Sequence, residues 1–181
     1  DCCMSTDGAV CLILTTADRA RDLKKAPVYV SGISPVGVSD LYYFREAYGL
    51  AGKDVPGRWD RIARESVELA YGMAGVGPKD VDALYCYDAA TILPLIALET
   101  TRLCPAGEAA QFIKGGMIEP GGKLPVNPNG GLLSEAHCTA WNHIVDAVRQ
   151  LRGECGARQI KDARTVFWHG VYADSIVFTR H

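Results

Sequence analysis

Three places in this chain carry side chains that can move protons near neutral pH. Tyr87-Asp88 ends a run that reads as a strand, His137 follows the doublet Gly130-Gly131, and His169-Gly170 closes another apolar run. A phenol beside a carboxylate at a strand end can donate a proton to a developing oxyanion. An imidazole can serve as acid or base at pH 7. If Ser134 caps a helix, His137 falls in its first turn, where the positive end of the helix disfavours imidazolium and keeps the ring basic. Each residue also has a plainer reading. Asp88 suits the cap of the next helix, Tyr87 a packed rim, His137 a bond to a nearby carbonyl, and His169 a satisfied core histidine. Spacing alone leaves these alternatives open, and all four residues stand as candidate catalytic groups.

The elements that must position them follow from the hydrophobic pattern. Residues 9–15 (AVCLILT) form a continuous apolar run, as in a strand covered on both faces. Residues 18–25 read as a short exposed helix, and 27–34 (PVYVSGIS) as a second strand stopped by Pro35. Residues 39–57 hold an aromatic cluster (Tyr42, Tyr43, Phe44, Tyr48) and form a long excursion. From 58 to 74 the apolar positions recur at three and four, an amphipathic helix closed by Gly75 and Pro78. Residues 81–87 are a strand, and 91–103 an apolar helix with Pro94 in its first turn, expected to be buried. Glycine and proline crowd residues 115–131, which form a shaped loop. Helical period returns over 134–151. Two strands, 165–171 and 175–179, finish as a hairpin through Tyr172-Ala173-Asp174. Strands alternating with helices predict an α/β fold with a mixed, five-stranded sheet and helices on both faces.

Composition removes other readings. The 181 residues suffice for one domain with a real core; 48% are hydrophobic and 22% charged, a globular balance. A net charge of −2 with scattered Lys and Arg gives no footprint for nucleic acid and no polybasic membrane patch. The longest uncharged apolar run, 89–98, is too short to span a bilayer. The seven cysteines include no CxxC pair and match neither a zinc site nor a disulfide framework. They read as reduced small hydrophobes in a cytoplasmic protein, with no metal.

At these motifs the chain resembles the C-terminal half of the thiolase superfamily, nearest the sterol-carrier-type thiolases and the aldolase-like branch acting on steroid side chains. Asp7-Gly8-Ala9 is similar to the segment that opens the second half of such proteins, and residues 71–82 (YGMAGVGPKDVD) to their helix-to-strand passage. Tyr87-Asp88-Ala89-Ala90-Thr91 occupies the place of the NEAF-type and YDxFT-like motifs. Residues 127–131 (NPNGG) through His137 match an NxxGG…GH motif, and residues 151–156 (LRGECG) also look like the family.

The resemblance implies a βαβαβαββ domain over residues 1–181, with the N-terminal half outside this chain, and a coenzyme A thioester as substrate, approached by Gly130 and Gly131. His137 takes the histidine role, Tyr87 the asparagine position, and Trp168 falls near the second cysteine, so two of three positions differ from a biosynthetic thiolase. Tyr87 matches the aldolase-like branch, where tyrosines act in retro-aldol cleavage of a β-hydroxyacyl-CoA; that branch tends to carry a second tyrosine where this chain has His137. Implied alternatives are a degradative acyltransferase with its nucleophile on the other half, and a non-catalytic scaffold. Implied partners are an N-terminal thiolase half or second thiolase-like chain, in a homodimer or heteromer, and a zinc-ribbon/OB-fold protein. Apolar faces covered by such partners are expected to lie exposed in this chain alone.

Overall fold

The computed structural model describes residues 2–34, 58–170 and 174–180, with the backbone alone for 58–62. In chain order the elements are α1 (Ala17–Arg21), β1 (Tyr29–Ser34), α2 (Arg58–Ala74), β2 (Ala83–Cys86), α3 (Leu93–Thr100), α4 (Ala109–Phe112), α5 (Gly131–Ser134), α6 (Trp141–Arg152), β3 (Thr165–His169) and β4 (Ser175–Thr179). The aromatic cluster of 39–57 and the hairpin tip at Tyr172-Ala173 lie outside the described residues.

Among the described residues the sheet has four strands, ordered β1-β4-β3-β2, not the five expected. β2 runs parallel to β3, while β4 is antiparallel to both β3 and β1, so the sheet is mixed. The missing strand is 9–15. Its apolar content is strand-like, but it pairs with no strand described here, and Ile13 and Leu14 remain 92% and 79% exposed. A strand is defined by its neighbour's hydrogen bonds, and among the described residues this run has no hydrogen-bonded strand beside it.

Helices cover both faces. On one, α2 and α3 bury Val67, Ala70, Tyr71 and Leu98 against Leu84, Phe167 and Val177. On the other, α6 buries Ile144, Ala147 and Leu151 against Tyr85, Val166, Trp168 and Phe178. Every residue of β2 is buried, because both its faces are covered. β1 can lie close under α2 only because residue 32 is glycine; a Cβ there would sit 2.0 Å from the Ala70 carbonyl oxygen. α3 departs from the expectation of a buried helix. Ala97 and Leu98 are buried, while Ile92 at its start and Ile96 are about half exposed, since among the described residues only one side of the helix is packed. Leu69 and Met73 of α2 are likewise exposed.

The helix expected over 134–151 is broken. Ser134 ends the single turn α5, and α6 begins only at Trp141. Thr139 (φ 51°) and Ala140 (φ 63°) take left-handed conformations that end any helical path between them. His137 therefore sits in an irregular connection, not at a helix N-terminus.

Alternation along β3 sends Trp168 to the α6 face and His169 to the α2 face. His169 is buried, and its Nδ1 lies 3.0 Å from Ser175 Oγ. Ser175 N–H in turn donates to Ser34 Oγ (2.9 Å), and Ser34 Oγ is hydrogen-bonded to Ser66 Oγ. Burial pulls the His169 imidazole down from its ordinary value to about 4. Between about 6.5 and 4 the unfolded chain thus binds a proton that the folded chain refuses, so stability falls as pH drops through that window. Thermal unfolding of the full-length protein should show Tm rising from pH 4 to 6.5, and His169→Gln should flatten that part of the profile. An unchanged slope in the variant would place the acid sensitivity elsewhere.

Candidate active site

The site is built where a loop is clamped to the end of β2. Backbone bonds start the clamp: Leu84 N–H donates to Pro125 O (3.0 Å) and Asn127 N–H to Leu84 O (2.9 Å), a parallel bridge along the strand's outer edge. Asn127 then uses its side chain as a further rung. Its Oδ1 accepts from Cys86 N–H (2.8 Å) and its Nδ2 donates to Cys86 O (2.9 Å). That satisfies both polar groups of a buried strand-end peptide. Arg158 holds the next residue, donating to Pro128 O (3.2 Å) while its guanidinium grips Asp146 through two nitrogens (3.1 and 3.0 Å). Asp146 is braced in turn by the Tyr85 hydroxyl (2.6 Å).

Asp88 makes the last attachment. Its Oδ1 accepts from Leu132 N–H (2.9 Å) and lies 3.2 Å from Nε2 of the fully buried His143. Gly131, at φ 73°, permits this approach, since a Cβ on it would come within 1.8 Å of Asp88 Oδ2. Burial works against a charge on Asp88, but the hydrogen bonds from His143 and Leu132 N–H outweigh it and hold the carboxyl below the ordinary carboxylate range.

The clamped loop leads into His137. The Tyr87 hydroxyl lies 3.0 Å from His137 Nε2, with the rings edge to face and centroids 5.7 Å apart. Both residues are partly exposed. Tyr87 is held by its backbone, whose N–H donates to His169 O (3.0 Å), and His137 N–H donates to Thr6 Oγ1 (2.8 Å). The pair can pass a proton between phenol and imidazole, or present one as donor and the other as base.

The structure brings Tyr87 and His137 together and sets Asp88 behind them, turned toward the loop. Gly130 (φ 104°) and Gly131 shape that loop, Gly131 against Asp88. The His169 ring lies on the opposite sheet face from Tyr87, which packs with the α6-side cluster. Trp168 is a buried structural ring whose Nε1–H donates to Ala140 O (3.0 Å). Spacing did not single out His143 or Arg158, and Asn129 stood within the NPNGG motif with no role assigned to it. Asn127 was visible as the first residue of the NPNGG motif, though its strand-completing role was not. Among the described residues no group of three His, Cys, Asp or Glu could hold a metal ion, and no helix is long and apolar enough to cross a membrane.

Comparison with known proteins gives a consistent setting. The family described as thiolase C-terminal domain-like matches residues 57–173. The 17-hydroxy-3-oxo-4-pregnene-20-carboxyl-CoA lyase of Mycobacterium tuberculosis is 42% identical over 158 residues, covering 84% of this chain and 38% of that protein. The steroid side-chain-cleaving aldolase of Thermomonospora curvata is 35% identical over the same coverage. A solved structure titled "Ltp2-ChsH2(DUF35) aldolase" superposes with a TM-score of 0.77 at 29% identity, over 91% of this chain and 42% of that one. The chain thus spans about two fifths of the length of these relatives.

If the Asn127 rung fixes the loop, Asn127→Ala should destabilise the full-length protein by about 1–3 kcal/mol, the cost of leaving the buried Cys86 peptide unpaired. Asn127→Asp, which can accept but not donate, should recover only part of that. Denaturant melts check both; an unaffected alanine variant would mean the loop is held by other bonds.

Proposed function

The chain belongs to the thiolase C-terminal domain-like family, and from that premise we propose that it supplies the acid–base groups of an acyl-CoA carbon–carbon lyase. The favoured reaction is retro-aldol cleavage of a β-hydroxyacyl-CoA from a lipid or steroid side chain. The observation that carries this reading is the 3.0 Å contact between Tyr87 Oη and His137 Nε2, two proton-transfer groups converging at one strand end.

In the proposed reaction His137 Nε2 removes the proton of the substrate's β-hydroxyl. The Cα–Cβ bond breaks as the β-carbon becomes a carbonyl, and its electron pair moves onto the thioester as an enolate. The Tyr87 hydroxyl, turned from imidazole to substrate, donates to the enolate oxygen. The proton on His137 is then delivered to Cα, giving a carbonyl compound and a shortened acyl-CoA with no free coenzyme A consumed. No cysteine of this chain is needed. Burial pushes the Cys104 and Cys155 thiols up to about 11 and Cys86 higher still, which suppresses the thiolate in each.

Two observations support partners. The exposed apolar side chains of 9–15 and of α2 and α3 are suited to burial by another thiolase half or a second thiolase-like chain. The name of the similar solved structure, an Ltp2-ChsH2(DUF35) aldolase, supports a further chain in the assembly, and the proposed one is a zinc-ribbon/OB-fold protein.

The full-length protein, with any chain that co-purifies, should cleave a β-hydroxyacyl-CoA without added coenzyme A, with the carbonyl product and the shortened acyl-CoA appearing together in mass spectrometry. Tyr87→Phe and His137→Gln should each lower the rate by about 10²–10⁴-fold. Turnover that requires free coenzyme A and survives Tyr87→Phe would favour an acyltransferase. Neither turnover nor acyl-CoA binding would favour a scaffold.

A further inference from the structure

The loop that carries His137 is fastened to α6 by polar side chains whose donor and acceptor roles can be assigned in sequence. Glu135 as carboxylate only accepts, and it receives the side-chain amide nitrogens of Asn129 and of Asn142 (2.8 Å for the latter). Nδ2 of Asn129 must therefore face Glu135. The same nitrogen lies 2.9 Å from His143 Nδ1. Turning the amide over would set its oxygen against the carboxylate. His143 Nδ1 must then accept, which leaves the ring proton on Nε2, 3.2 Å from Asp88 Oδ1. Asp88 Oδ1 also receives Leu132 N–H. The polarity runs one way, from Asn129 through His143 to Asp88, and both ends of the relay grip the segment 129–135 that leads into His137.

We infer that His143 is a positioning residue for the acid–base pair, acting as the neutral Nε2–H tautomer, and that Asp88 works through its Oδ1 as the acceptor of this relay, not as a group that meets the substrate. His143 has no exposed surface, so it cannot touch substrate itself. Its place is nevertheless shared between both members of the pair. Asp88 is the chain neighbour of Tyr87, and Asn129 and Leu132 lie on the loop that delivers His137. This inference rests on the reading of Tyr87 and His137 as the reacting groups, but the tautomer can be read without any reaction.

The relay makes an unusual set of substitutions informative. Glutamine at 143 can place an amide nitrogen near Nε2 and keep the donation to Asp88; asparagine can place its oxygen near Nδ1 and keep only the contact to Asn129. Asparagine at 88 retains Oδ1, which accepts both bonds, while losing the charge. In the full-length protein, His143→Asn should lower kcat on the order of a hundredfold, as a displaced base does, with little change in KM. His143→Gln and Asp88→Asn should stay within several-fold of the wild type, and Asp88→Ala should be as slow as His143→Asn. If Asp88→Asn is as slow as Asp88→Ala, the carboxylate charge itself is used and the inference falls. It falls equally if His143→Gln is as slow as His143→Asn.

Nitrogen-15 NMR of the wild-type protein labelled at histidine needs no variant to fold and no substrate. It should show His143 with Nε2 protonated and Nδ1 bare at neutral pH. Protons on both nitrogens, or on Nδ1 alone, would overturn the relay. The expected tautomer with no β-hydroxyacyl-CoA cleavage would leave the relay standing and remove the proposed reaction.

Discussion

The attachment of a glycine-rich loop to the carboxyl end of one buried strand is the constraint on which the site depends. β2 ends at Cys86 and runs on into Tyr87-Asp88, and each of these three residues has a separate duty. The Cys86 peptide is closed by Asn127, Tyr87 presents its phenol, and Asp88 reaches back to Leu132 N–H. A loop is normally the softest part of a domain, because few buried bonds oppose its opening. Here Asn127 is bonded to the Cys86 backbone, Pro128 is held by Arg158 from the segment following α6, Asn129 by His143 of α6, and Leu132 by Asp88 just beyond β2. Much of the ordering of His137 is therefore done during folding and need not be done when substrate binds.

The rest of the fold serves that clamp. β2 can afford no exposed polar group, since parallel pairing with β3 and helices on both faces bury all four of its residues. α6 packs Ile144, Ala147 and Leu151 into the sheet and on the same helix presents His143 to Asp88 and Asp146 to Tyr85. The left-handed Thr139 and Ala140 turn the chain between α5 and α6. The Ala140 carbonyl, accepting from the Trp168 indole, ties that turn to the sheet. Trp168, which the resemblance sets near the second cysteine, thus has a structural use in this chain.

Much of this was legible in the sequence. The three- and four-residue spacing of 58–74 gave α2, and the apolar runs at 81–87, 165–171 and 175–179 gave the strands beside the site. The first apolar run misled: composition reports how much apolar surface a segment has, not whether a hydrogen-bonding neighbour exists for it. Ser134 misled similarly, because nothing in Thr139-Ala140 announces positive φ in residues other than glycine or asparagine. Tyr87 and His137 were recognised through several motifs in order, since fifty residues separate them and no periodicity relates them. The roles of His143 and Asn129 were hidden because they arise from buried contacts between α6 and the loop. The placement of His169 away from Trp168's face did follow from strand alternation.

Whether Tyr87 and His137 act as one chemical unit is the central question, and a double-mutant cycle on the full-length protein answers it most directly. Turnover of one β-hydroxyacyl-CoA would be compared in Tyr87→Phe, His137→Gln and the variant carrying both. In the proposed cleavage the Tyr87 donor is useful only as the enolate forms, which requires His137 to take the β-hydroxyl proton. The losses should therefore not multiply, and the double variant should be about as slow as the slower single one. Losses that multiply would mean that phenol and imidazole work independently, and that the 3.0 Å between them is proximity without shared chemistry.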